Sequence, residues 1–202
     1  MFRTSRVGFI FLAASAVILL STSAVLAQTL SGMHLGALAG PLFPTDEATD
    51  AYGRGYQISV FIDHQAVKVP LGVRLELGYS RQPFRGARGV RSATEDVVFG
   101  SGSLIVAGRS KKLRPFALAG FGVYRVSVAG EGTDPYNYSH VYPISAIQTK
   151  PGLHVGAGVS FPAGARARVF LEVRYMQIWT MEISPLIPSQ LVRVPLLLGV
   201  SF

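Results

Sequence analysis

Val192–Phe202, reading VRVPLLLGVSF, decides how the rest of the chain is read. In an extended backbone, side chains alternate between two faces. Phe202, Val200, Leu198, Leu196 and Val194 therefore share one face, and all are apolar. Ser201, Gly199, Leu197, Pro195 and Arg193 share the other, which is small or mixed. A strand of a soluble sandwich alternates in the same way but rarely ends a chain on an aromatic residue. What covers the apolar face has to come from the remaining segments.

Working back from this strand, the same alternation recurs. Strands are expected at Leu30–Ala39, Tyr56–His64, Leu71–Ser80, Asp96–Ala107, Pro115–Val128, Pro151–Phe161 and Arg168–Met181. The clearest is Leu71–Ser80, where Val73, Leu75, Leu77 and Tyr79 oppose Arg74, Glu76, Gly78 and Ser80. Pro115–Val128 changes parity, with Phe121 and Val123 opposite Tyr124, Val126 and Val128, so a bulge near Gly120 or Gly122 is expected. The connections read long (Gly40–Gly55), short, long (Arg81–Glu95), short, longest (Ala129–Lys150), short (Pro162–Ala167) and moderate (Glu182–Leu191). An even number of ~10-residue strands, with short turns at one end and longer loops at the other, is the pattern of a membrane barrel. A lipocalin-like soluble barrel would turn its apolar face inward. The glycine- and charge-bearing minor face and the alternating connections favour the membrane form. The expected fold is all-β: an eight-stranded antiparallel up-and-down transmembrane β-barrel.

The amino end and the composition agree with this. Residues 1–27 have the form of an export signal: Arg3 and Arg6, an apolar core at Val7–Leu20, and Val25-Leu26-Ala27 ahead of Gln28. An uncleaved anchor is the competing reading, because the apolar run approaches the ~20 residues of a spanning helix. The barrel domain is then 28–202. With no cysteine in the chain, an exported domain must be held by its core or by a closed hydrogen-bond network. The formal charge is +8, but Lys and Arg are scattered among strands and turns, and with export this argues against nucleic acid as a partner.

The chain resembles the small eight-stranded outer-membrane proteins of the OmpA transmembrane-domain and OmpX type. The resemblance lies in PFALAGFGVY (Pro115–Tyr124), GLHVGAGVSF (Gly152–Phe161) and the closing LLLGVSF, and it extends over nearly all of 28–202. It implies a bacterial outer-membrane location and surroundings of lipid and lipopolysaccharide. It also implies a C-terminal strand, ending in Phe202, that the barrel-assembly machinery reads and that closes against the first strand. The chain departs from full-length OmpA in carrying no peptidoglycan-binding domain after Phe202, so no cell-wall tether is expected.

Four charges stand out on the minor face: Arg74 and Glu76 on the third strand, Glu172 and Arg174 on the seventh. Charges inside a small barrel must be paired or solvated. Two acids and two bases facing each other across the lumen would make a neutral plug, with His34, His154 and Asp63 as candidates to join that network, as lumen-filling polar residues rather than ligands. No His spacing indicates a metal site, and no cofactor is expected. Arg81, Arg85, Arg88 and Arg91 in one loop suit phosphate groups such as those of lipopolysaccharide. Tyr136, Tyr138 and Tyr142 in another supply contact area for an extracellular ligand. Tyr79, Tyr124, Tyr175 and Trp179 are read as membrane-interface anchors. The reading is a non-enzymatic surface protein. A lipid A-modifying enzyme and a narrow pore are the alternatives, though His154-Val155-Gly156 lacks the serine a deacylase-like site needs.

Overall fold

The computed structural model describes residues 32–45, 52–66, 69–84, 90–110, 112–133, 141–164, 166–179 and 190–202. Residues 1–27, expected to be an export signal, lie outside them. Eight strands follow one another: β1 (Met33–Pro44), β2 (Gly55–Gln65), β3 (Leu71–Phe84), β4 (Val90–Ala107), β5 (Arg114–Thr133), β6 (Val141–Pro162), β7 (Arg168–Trp179) and β8 (Gln190–Ser201). Each pairs antiparallel with the next, and β8 returns to β1, so the sheet is a closed barrel. Beyond the last strand residue, Phe202 N–H donates to the Leu35 carbonyl at 2.9 Å, and Leu35 N–H donates back at 3.3 Å. Closure removes the unpaired edges that an open sheet would expose.

The period-two pattern has a definite sense. The apolar set faces out: Leu75 and Leu77 are each 67% exposed, Leu104 65% and Leu198 60%. The alternate set faces the lumen, where Arg74, Glu76, Glu172, Arg174, Leu197 and Ser201 are buried. A water-facing surface with this much contiguous apolar area would be costly, at about 25 cal/mol per Å². A lipid-facing surface has no such cost, because the hydrocarbon is as apolar as the leucines.

The structure departs from the sequence expectation in four places. The stretch Arg81–Glu95 is mostly strand: β3 runs on to Phe84 and β4 begins at Val90, leaving 85–89 as the connection. Ala129–Lys150 is likewise mostly strand, with 134–140 between β5 and β6. These strands run on because their inward residues keep the alternation. Gln82, Phe84, Ala93, Glu95 and Val97 all point into the lumen, while the outward positions have turned polar. The alternation of loop lengths is therefore weaker than expected. Instead β4, β5 and β6, at 18, 20 and 22 residues, project beyond the 11- and 12-residue strands β1, β2, β7 and β8.

The third departure is the expected bulge. β5 keeps continuous register with both neighbours through Gly120 and Gly122, and the one shift in the β4–β5 ladder lies between Val90 and Ser92. Phe121 and Val123 face out, and Tyr124, Val126 and Val128 face in. The apparent parity change arises because the lumen itself is apolar at that level. β1 also runs later than expected, through Pro44.

Candidate functional site

The lumen is filled in layers. Along the inward face of β7 the order is Phe170, Glu172, Arg174, Met176 and Ile178. Phe170 belongs to an apolar cluster with Leu38, Phe61, Ile105, Phe116, Leu118 and Leu197, toward the short-turn end. Met176 and Ile178 belong to a second cluster, with Phe99, Tyr124, Val126 and Val128, toward the long-strand end. The charged pair on β7 lies between the two.

That central layer is a five-member network. Arg74 Nη1 lies 2.8 Å from Glu172 Oε2, and Arg174 Nη2 lies 2.7 Å from Glu76 Oε2, so both contacts cross the lumen between β3 and β7. Arg174 Nε also pairs with Glu172. Asp63, on β2 beside Arg74 in the register, completes the set: Arg74 donates Nε and Nη2 to its two oxygens at 2.7 and 3.0 Å. The Phe61 ring lies 4.1 Å below the Arg74 guanidinium. With three acids to two bases the layer is not the neutral quartet expected. Removing five charges from water is costly, and only near-complete pairing offsets it. His154 makes a separate contact set, with Ser103 Oγ at 2.7 Å from its Nε2 and Tyr124 OH at 3.3 Å from its Nδ1. Tyr124 is thus a lumen residue and not an interface anchor. Tyr175 and Trp179 remain on the outer face.

A second site at the long-strand end has no counterpart in the sequence reading. Glu95 on β4 is fully buried and pairs with Arg193 on β8, whose Nη1 reaches Ser80 Oγ at 3.5 Å. Tyr52, on the connection between β1 and β2, turns into the mouth and donates its hydroxyl to Glu95 Oε2 at 3.0 Å. Its ring packs edge-on against Phe84, with centroids 4.8 Å apart. Backbone bonds fix the same connection: Gly53 N–H donates to the Pro83 carbonyl at 2.8 Å, and Gln82 Nε2 donates to the Gly53 carbonyl at 2.9 Å. Burial raises the Tyr52 pKa above its ordinary value against the opposing charge of Arg193, so the phenol stays a donor. Glu95 had a usable signal, since it shares parity with Val97 and Phe99. Tyr52 had none.

The loop candidates divide. Arg81 is on β3, half exposed, with Nε 3.6 Å from Asp96, so it belongs to a strand and not to a loop. Arg91 is on β4 and Tyr142 on β6, also strands, and the Tyr142 side chain is exposed. Arg85, Arg88, Tyr136 and Tyr138 lie outside the described residues.

An antiparallel eight-stranded barrel with leucines outside and ion pairs inside defines a class. It is the fold of the small eight-stranded outer-membrane β-barrels. Among solved structures the chain is similar to Neisserial surface protein A (NspA), at 18% identity and a TM-score of 0.61, covering 85% of this chain and 96% of that one. It is also similar to OprG from Pseudomonas aeruginosa, at 14% identity and a TM-score of 0.52, covering 85% and 96%. A major outer membrane protein from Thermus thermophilus matches at 17% identity and a TM-score of 0.51, covering 84% and 98%. No protein-family model matches the chain, and no curated protein matches it by sequence.

Proposed function

We propose that this chain is a non-enzymatic protein of a bacterial outer membrane, exported by residues 1–27 and spanning the bilayer as a barrel whose lumen is a plug. The observation that carries this reading is the inverted polarity of the barrel: an apolar outer belt around a lumen occupied by the Arg74–Glu172–Arg174–Glu76 network. Phe202, at the closing seam with β1, serves as the assembly signal. The long-strand end faces outward, and the short turns face the periplasm. Arg81, Arg85, Arg88 and Arg91 are then the candidates to bind lipopolysaccharide phosphates, and Tyr136, Tyr138 and Tyr142 the candidates to contact an extracellular ligand. A lumen packed by its own side chains supports a structural or surface-binding role over a pore.

The test is gel mobility of outer-membrane fractions with and without boiling, after protease treatment of intact cells. The expected result is a mobility shift on boiling and cleavage confined to the connections 45–54, 85–89, 134–140 and 180–189. A soluble periplasmic band with no shift would overturn the membrane reading.

A further inference from the structure

At the short-turn end the lumen opens into a cavity of about 40 Å³ walled by Phe116 and Phe170, with Arg74, Asp63, Arg114 and Arg168 among its lining residues. Arg74 and Asp63 are committed to each other. Arg114 and Arg168 are not committed to any acid: among the described residues neither guanidinium has a carboxylate within ion-pair distance. Neutral groups hold them instead. Arg114 donates Nε to the Gly108 carbonyl at 2.7 Å and Nη1 to Gln65 Oε1, and Arg168 donates Nη2 to Ser160 Oγ at 3.1 Å. Both arginines line the same cavity.

Two like charges lining one cavity, neither in an ion pair and with the Asp63 carboxylate already bound to Arg74, are unfavourable, and an anion between them would turn the repulsion into attraction. The surrounding sequence reinforces the field. The connections 66–70, 108–113 and 163–167 carry Lys68, Arg109, Lys111, Lys112 and Arg166 and no Asp or Glu. A concave, low-dielectric mouth concentrates such a field. A single water occupies about 10–15 Å³ on this measure, so the cavity admits one tetrahedral oxyanion or a few waters. The bonds to Gly108, Gln65 and Ser160 hold the guanidinium groups in place before any ligand arrives, which lowers the ordering cost of binding.

We propose that this vestibule is a binding site for a phosphate-class oxyanion, clamped between Arg114 and Arg168. The same chemistry is presented by free phosphate and by the headgroup of an anionic phospholipid in the adjoining leaflet. The site goes beyond the surface-binding reading and lies at the opposite end of the barrel.

The test is calorimetric titration of inorganic phosphate into the full-length protein in octylglucoside, at ionic strength held constant with chloride. Saturable binding is expected, weakened at least tenfold in an Arg114→Gln/Arg168→Gln double variant. An Arg109→Gln/Lys112→Gln variant removes part of the rim field but no clamp residue, and is expected to weaken binding by no more than about twofold. Arg168→Lys keeps the charge but loses the planar fork, and is expected to weaken binding by an intermediate factor; it also carries the test if the double variant does not show the mobility shift of a folded barrel. Competition with phosphatidylglycerol then separates the sources: displacement of phosphate identifies a lipid headgroup as occupant, and no displacement identifies a free oxyanion. Absence of saturable binding by both ligands would overturn the proposal. So would equal losses in the two double variants, which would reduce the effect to diffuse rim charge.

Discussion

The central network and the mouth pair are both built from arginine and carboxylate groups almost without exposure, yet they tie different parts of the molecule together. The central network joins β2, β3 and β7 across the lumen through four ion pairs. At the mouth, one ion pair joins β4 to β8, and the Tyr52 hydroxyl, three residues ahead of β2, bonds to the same carboxylate. The first can be lost only by opening the barrel wall. At the mouth, the Tyr52 bond can be lost by release of residues 52–54 alone, a local event of lower free energy. In this chain buried charge therefore does two jobs: holding a closed wall and fastening the residues just ahead of β2.

The difference can be broken most forcefully at Arg174, which pairs with both Glu172 and Glu76. Arg174→Met leaves three acids facing Arg74 alone in a dry layer, and should destabilise the barrel by about 3–5 kcal/mol. Equilibrium urea unfolding in lipid vesicles measures this, and a loss below about 1 kcal/mol would mean that water reaches the network. Arg193→Met strands Glu95 with Tyr52 alone. The expected loss is smaller, about 2–3 kcal/mol, because release of residues 52–54 admits water to the mouth. Faster protease cleavage within 45–54 should accompany it. Tyr52→Phe keeps the edge-on packing on Phe84 and removes one bond to a charged acceptor, worth about 1.5 kcal/mol. Its signature should be local: quicker amide exchange at Gly53, with the global unfolding midpoint nearly unchanged. If the midpoint moved as far as in Arg193→Met, residues 52–54 and the wall would be one cooperative unit. Arg81→Gln serves as the exposed control, and its 3.6 Å contact to Asp96 should be worth within about 0.5 kcal/mol.

Much of this fold was legible because a closed barrel has one rule that local sequence can express. On β3, Val73, Leu75 and Leu77 against Arg74 and Glu76 suffices to define the two faces, and the closing strand repeats it with Leu196 and Leu198 against Leu197 and Ser201. The rule misled where a face changed its surroundings. Beyond the apolar belt the outward positions become polar, so Gln82, Phe84 and Ala93 looked like loop although they continue the inward series. At Tyr124 and Val126 the inward positions are apolar, which resembled a slip in register. Pairings across the lumen were legible only where both partners stood on recognisable strands. Arg74 and Glu172 met that condition, whereas Glu95 lay in a stretch read as loop and Arg193 had no visible partner.

By itself, then, the sequence determined eight alternating strands, their order, the polarity of the two faces and the candidacy of Arg74, Glu76, Glu172 and Arg174, because each of these is written in side-chain parity along a single strand. Only the tertiary structure decided that Asp63 joins the network, that Tyr52 turns into the mouth, and that Arg114 and Arg168 line one cavity with neither in an ion pair. Those facts depend on the stagger of strands around a closed barrel. The stagger brings residues dozens of positions apart to the same level, and no local pattern encodes it.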